Sequence, residues 1–152
     1  MSEGPTERKK ILKNLRNLLD DMESSKVTLI GDIMLDRNHH GYSNRLISTA
    51  PVPVLKILRS EESPGAAAHI ARGLNSLGLD VSVFSSVGDD REGDFIKNQF
   101  LSDGISTDGI ETVKNRQTLT KIRFFGSRQS LLEKTQILLQ ADREPLNELD
   151  IG

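Results

Sequence analysis

Between Val27 and Leu101 the spacing of apolar residues switches repeatedly between a strand's period and a helix's, and that alternation limits the chain to few folds. Val27-Thr28-Leu29-Ile30 is a short apolar run bounded by charge on one side and Gly31-Asp32 on the other, the pattern of a buried parallel strand. Ala67, Ala68, Ile70, Ala71, Leu74 and Leu77 then share one helical face, Gly78 supplies a left-handed cap, and the alanines allow close packing on a sheet. Val81, Val83, Ser85 and Val87 alternate as a strand. Asp89 and Glu92 have the spacing of a capping box for a helix carrying Phe95, Ile96, Phe100 and Leu101, with Gly104 at its end. Two further β-rich runs, over about 118–125 and 136–141, flank a polar stretch at 127–135. Strand and helix in alternation predict an α/β sheet with flanking helices and right-handed crossovers.

Two segments stand outside that core pattern. Ile11, Leu12, Leu15, Leu18, Leu19 and Met22 recur at steps of three and four, which predicts a packing helix over about 6–22. Its basic start, Arg8-Lys9-Lys10, is offset by Asp20, Asp21 and Glu23, which favours packing over a membrane surface. Over 41–58, Pro51 and Pro53 alternate with Val52 and Val54. Two prolines this close cannot both sit in a central ladder, so an edge strand or projecting flap is expected. With 152 residues and no repeat or linker, one domain over 1–152 is expected.

Composition excludes several function classes. Lys and Arg number 20 against 22 Asp and Glu, a net charge of −2, so no basic field gathers nucleic-acid phosphates. Zero cysteines rule out disulfides, thiolate metal sites and cysteine nucleophiles, in keeping with a reducing cytoplasm. The polar start and the lack of an apolar run near the ~20 residues of a membrane span predict neither signal peptide nor anchor, and a cytoplasmic location. His39, His40 and His69 form no pair at ligand spacing with an acidic partner, so no metal site is expected. A phosphate-loop motif, a dinucleotide-binding glycine fingerprint and a serine-hydrolase elbow are all missing from the sequence.

The residues that can carry chemistry are few. Asp32 and Asp36 follow the carboxyl end of the first predicted strand, where open α/β sheets place ligand crevices and carboxylates accept hydrogen bonds from sugar hydroxyls; a solvated loop with one acid capping a turn fits the same residues. Gly65 removes a side chain where a helix opens, admitting an anion or a hydroxyl-rich ligand to the backbone, or serving a turn. Lys121 and Arg123 alternate on a strand and share a face, either to meet a substrate phosphate or as an exposed charged surface.

Taken in order, the motifs are more specific than any one of them. Gly31-Asp32-Ile33-Met34-Leu35-Asp36-Arg37, Ala50-Pro51-Val52-Pro53-Val54, Pro64-Gly65-Ala66-Ala67-Ala68, Gly88-Asp89-Asp90, Thr120-Lys121-Ile122-Arg123 and Asp142-Arg143-Glu144 resemble the ribokinase-like (PfkB) carbohydrate kinases. Within them the series is most similar to the heptose-7-phosphate kinases of ADP-heptose synthesis. The resemblance implies a ribokinase-like α/β sheet with a small β lid at 41–58. It also implies that the carboxyl-terminal half of such a kinase, with anion hole, ATP pocket and the catalytic aspartate of a Gly-Ala-Gly-Asp motif, is lacking here. By similarity Asp36 would bind substrate hydroxyls, Asp32, Arg37, Gly65 and Ala66 would line the same pocket, and Lys121 and Arg123 would lie near the phosphorylated end of a sugar phosphate. The lid would close over the sugar and pair subunits into a homodimer.

Two departures from the family pattern bear on substrate. Family members usually read Pro-Gly-Gly-Ala-Ala-Asn where this chain has Ala66 and His69; a methyl group crowds a backbone contact, and imidazole does not reproduce an amide's donor and acceptor. Arg45-Leu46-Ile47-Ser48-Thr49 also lacks the acid usual at the last position. The expectation is the sugar-binding portion of a carbohydrate kinase, inactive alone, with no catalytic residue and no bound cofactor, ATP and Mg belonging to a complete kinase. A separate carboxyl-terminal half would complete it. The alternatives are a non-catalytic sugar-binding or dimerisation module and, less favoured without a phosphate loop, a small nucleotide-binding domain.

Overall fold

A computed structural model of the chain describes residues 5–20, 25–127 and 135–145. Its order is α1 (Pro5–Asp20), β1 (Lys26–Ile30), β2 (Ile33–Leu46), β3 (Pro53–Ala66), α2 (Ala67–Ser76), β4 (Asp80–Gly88), α3 (Arg91–Ser102), β5 (Ile110–Val113), β6 (Thr120–Ser127) and β7 (Gln136–Arg143). Two sheets result. One is parallel, in the order β1-β4-β5; the other is mixed, in the order β3-β2-β6-β7, with β2 antiparallel to β3 and parallel to β6.

The core lies where the parallel sheet meets α2 and α3. Val81, Val83 and Val87 of β4 pack with Ala67, Ala68 and Ala71 of α2 and with Ile96 and Phe100 of α3, joined by Ile33 and Leu35 where β2 begins. The period-2 reading of β4 holds because this strand is central and has helices over it. Gly78 and Gly104 close α2 and α3 at φ 86° and 76°, the left-handed conformation that glycine adopts without steric cost.

Several expectations are corrected. β1 is parallel as predicted, but it is an edge strand with β4 as its neighbour, and Ile30 is 80% exposed rather than buried. α1 ends at Asp20, with Asp21 and Met22 outside the described residues, and Ile11, Leu12, Leu15, Leu18 and Leu19 are exposed rather than packed. Ile70, Leu77 and Leu101 are likewise exposed members of otherwise packed stripes. The cap of α3 is Asp90, whose side chain accepts from the Gly93 amide, and not Asp89; Glu92 turns elsewhere. The polar stretch at 127–135 falls mostly outside the described residues.

The lid is longer than its prolines suggest. β2 and β3 form one hairpin from Ile33 to Ala66, and 41–58 is its distal end. Pro51 lies in the turn and Pro53 opens β3, the edge strand, where a missing amide donor costs no ladder bond. Asp36 therefore sits within a strand, not in a loop, and Gly65 lies in β3, one residue before the α2 boundary at Ala66.

Candidate functional site

The inner half of the lid hairpin and β6 together hold most of the candidate residues. Asp36 is opposite Lys121 of β6, and Asn38 opposite Arg123, so the four side chains share a face. On it, Arg123 Nη1 donates to Asp36 Oδ1 at 2.9 Å, and Arg123 Nε donates to Gln140 Oε1 at 3.2 Å. Gln140 passes the contact on to Asp142 Oδ2 at 3.1 Å. The other oxygen of Asp36 lies directly over the Gly65 backbone: a Cβ built on Gly65 would overlap Asp36 Oδ2. Close approach, not a special φ, is what position 65 requires.

Asp32 is placed differently. Its carbonyl accepts from the Ala67 amide at 3.1 Å, tying the end of β1 to the start of α2. The residue lines a cavity of about 390 Å³ with Ser86, Arg116, Thr118 and Glu144, whereas Asp36 lies within β2 of the lid sheet. Arg37 follows Asp36 in β2 and so faces the other side of that sheet, where it pairs with Glu62 and Glu92 at 2.7 Å each. Ala66 and His69 are exposed at the opening of α2. The structure thus joins Asp36, Gly65, Lys121 and Arg123 on one surface and sets Asp32 and Arg37 apart from it.

Ala66 carries φ 51° and ψ −127°, a conformation suited to glycine, and it makes no side-chain cap for α2. The sequence signalled this strain only through the family resemblance, in which Ala66 stands where a glycine is usual. His39 and His40 stack on Phe124 and Phe125, with ring centroids 5.0 and 4.8 Å apart. Among the described residues no group of three or more His, Asp or Glu gathers as a metal site.

Sequence reasoning missed the link that fixes the start of β6. Asp90 Oδ2 accepts from the Thr118 amide at 2.8 Å, and its Oδ1 from the Thr118 hydroxyl at 2.6 Å and the Gly93 amide at 2.9 Å. Burial pushes the Asp90 carboxyl up, but these hydrogen bonds outweigh it and hold it below the ordinary aspartate value. One side chain thereby caps α3 and anchors the strand that carries Lys121 and Arg123.

A glycine-backed carboxylate beside two cations thus lies where the α/β core meets the β hairpin. Residues 24–149 match the pfkB family carbohydrate kinase model, and the chain belongs to that family. Among curated relatives it is 38% identical to the bifunctional protein HldE of Psychromonas ingrahamii over 75% of this chain and 24% of the relative. It is 37% identical to the D-beta-D-heptose 7-phosphate kinase of Bordetella bronchiseptica over 71% of this chain and 34% of that protein. The chain thus matches about a quarter to a third of the length of these relatives. In fold it is similar to the Methanocaldococcus jannaschii nucleoside kinase, with TM-score 0.60 and 18% identity over 80% of this chain and 37% of that one. It is also similar to the ribokinase of Cryptococcus neoformans, with TM-score 0.54 and 22% identity over 78% and 35%.

Proposed function

We propose that this chain is the sugar-phosphate-binding portion of a carbohydrate kinase of the heptose 7-phosphate type. The observation that carries the reading is the Asp36 carboxylate held over Gly65 by Arg123. A carboxylate in that position accepts from sugar hydroxyls, and Lys121 and Arg123 on the same face attract the phosphate. Asp32, Ala66 and His69 border the opening of α2 and bear on which sugar fits. Catalysis needs a general base within reach of the attacking hydroxyl and electrostatic support for the transferred phosphoryl group, and no residue described here is assigned either role. ATP and Mg²⁺ enter this reading only with a complete kinase, which a separate carboxyl-terminal half would supply in the cytoplasm, while the lid would pair two copies of this chain into a homodimer.

Calorimetric titration of the 152-residue chain with heptose 7-phosphate tests the binding, and a coupled ADP assay tests the chemistry. Binding without sugar-dependent ATP turnover is expected. Turnover that survives rigorous removal of host kinases would refute the inactive portion, and no binding to any sugar phosphate would refute the site. A second reading, a non-catalytic binding or dimerisation module, draws on strained Ala66 and on Leu46, Val52, Ile57 and Leu58 exposed along the lid. Association without sugar binding would favour it.

A further inference from the structure

Beside Asp36 stands a cation that the sugar site does not use. Arg37 donates from Nε to Glu62 Oε1 and from Nη2 to Glu92 Oε1, both at 2.7 Å. Glu62 belongs to β3 of the lid, but Glu92 is in the first turn of the core helix α3 and only 8% exposed. Arg91 reaches Glu62 Oε2 at 2.8 Å, and Arg143 of β7 approaches Glu92 Oε1 at 3.8 Å. Strands β2, β3 and β7 of the lid sheet thus converge on one turn of a core helix. A guanidinium pronged onto two carboxylates fixes orientation as well as distance, and removing one partner from a pair this shielded strands the other.

We propose that Arg37 is a positioning residue: by gripping Glu62 and Glu92 it clasps the lid sheet to α3 and so sets where Asp36, one residue away on the opposite face, meets the substrate. A ligand phosphate would have to displace two carboxylates to reach Arg37, whereas Lys121 and Arg123 already share the face of Asp36. The functional half of this proposal rests on the sugar-phosphate reading; the clasp does not.

The variants Arg37→Lys, Arg37→Gln, Glu92→Gln and the double Gln variant, each in the whole chain, would be compared by hydrogen exchange of the β2 amides and by titration with heptose 7-phosphate. Either single Gln variant should speed exchange at Arg37 and Asn38 and weaken binding by roughly tenfold, and the double variant should lose no more than one single, as coupled partners do. Arg37→Lys, which keeps the charge without the fork, should fall between. Losses that multiply in the double variant, with β2 exchange unchanged, would mean that Arg37 touches the ligand and would overturn the clasp. If the parent binds no sugar phosphate, the site reading fails but exchange still decides the clasp: no acceleration overturns it, and non-additive acceleration supports it. Should the Gln variants fail to fold, Arg37→Lys decides on the same two readouts.

Discussion

Asp36 and Gly65 work as a pair, the glycine's bare backbone leaving room for the carboxylate above it. Asp36→Ala should therefore weaken sugar-phosphate binding by ~1.5–3 kcal/mol, the loss of a charge-assisted hydrogen bond, and by more than Asp32→Ala. Calorimetry on both variants checks this, and an Asp36→Ala protein that binds like the parent would remove the assignment. Ala66 offers a test in the opposite direction. Glycine adopts φ 51°, ψ −127° without the steric cost alanine bears, so Ala66→Gly should stabilise the chain by about 1 kcal/mol despite glycine's greater freedom when unfolded. Thermal melting reads the gain. Asp36, Gly65, Lys121 and Arg123 were all legible as residue types in ordered motifs. That Arg123 pairs with Asp36 was not, because alternation puts Lys121 and Arg123 on one face without saying which neighbour that face meets.

At the scale of elements, Asp90 shows how a local signal is reassigned by contacts distant in sequence. Asp89 and Glu92 have capping-box spacing, yet the cap is Asp90, because its carboxylate can serve Gly93 and Thr118 together. Glu92, free of capping, pairs with Arg37. The carboxyl of Asp90 is held below its unfolded value, so its contribution to stability is present above the unfolded aspartate value near pH 4 and is lost as pH falls further through the folded value. Asp90→Asn should flatten the acid limb of a stability curve below about pH 4 and cost ~1 kcal/mol at neutral pH. Urea melts of both proteins from pH 2.5 to 7 would show it; parallel acid limbs would refute the role. The same logic separates β4 from β1. Both read as apolar strands, but β4 lies between two neighbours and β1 has one, a matter of sheet order that no local pattern records.

Among the described residues, apolar surface is exposed on the face of α1, at Ile30 and Phe84 of the parallel sheet, on the core helices at Ile70, Leu77 and Leu101, and along the lid strands at Ile57, Leu58, Ile137 and Leu139. Surfaces of this kind seek partners. The chain should therefore self-associate with rising concentration, as read by light scattering and by a melting point that depends on concentration. Replacing Leu15 and Leu19 with Glu should reduce association if α1 carries it and leave it unchanged if the lid or sheet does. A compact monomer with a high, concentration-independent melting point would defeat this expectation.

What the sequence by itself determined is local and periodic. Apolar spacing set the existence of β4, α2 and α3, glycines set the ends of both helices, and the prolines kept their segment out of a central ladder, because each of these depends on a residue and its near neighbours. Its ordered motifs also identified the carbohydrate-kinase family. The tertiary structure alone decided which faces met. Pairing β2 with β6 brought Arg123 to Asp36, folding the lid against α3 gave Glu92 to Arg37, and the number of neighbours left β1 and α1 exposed. Burial and ion pairing depend on elements far apart in the chain, and their partners are chosen by the packing of those elements rather than by any stretch of sequence.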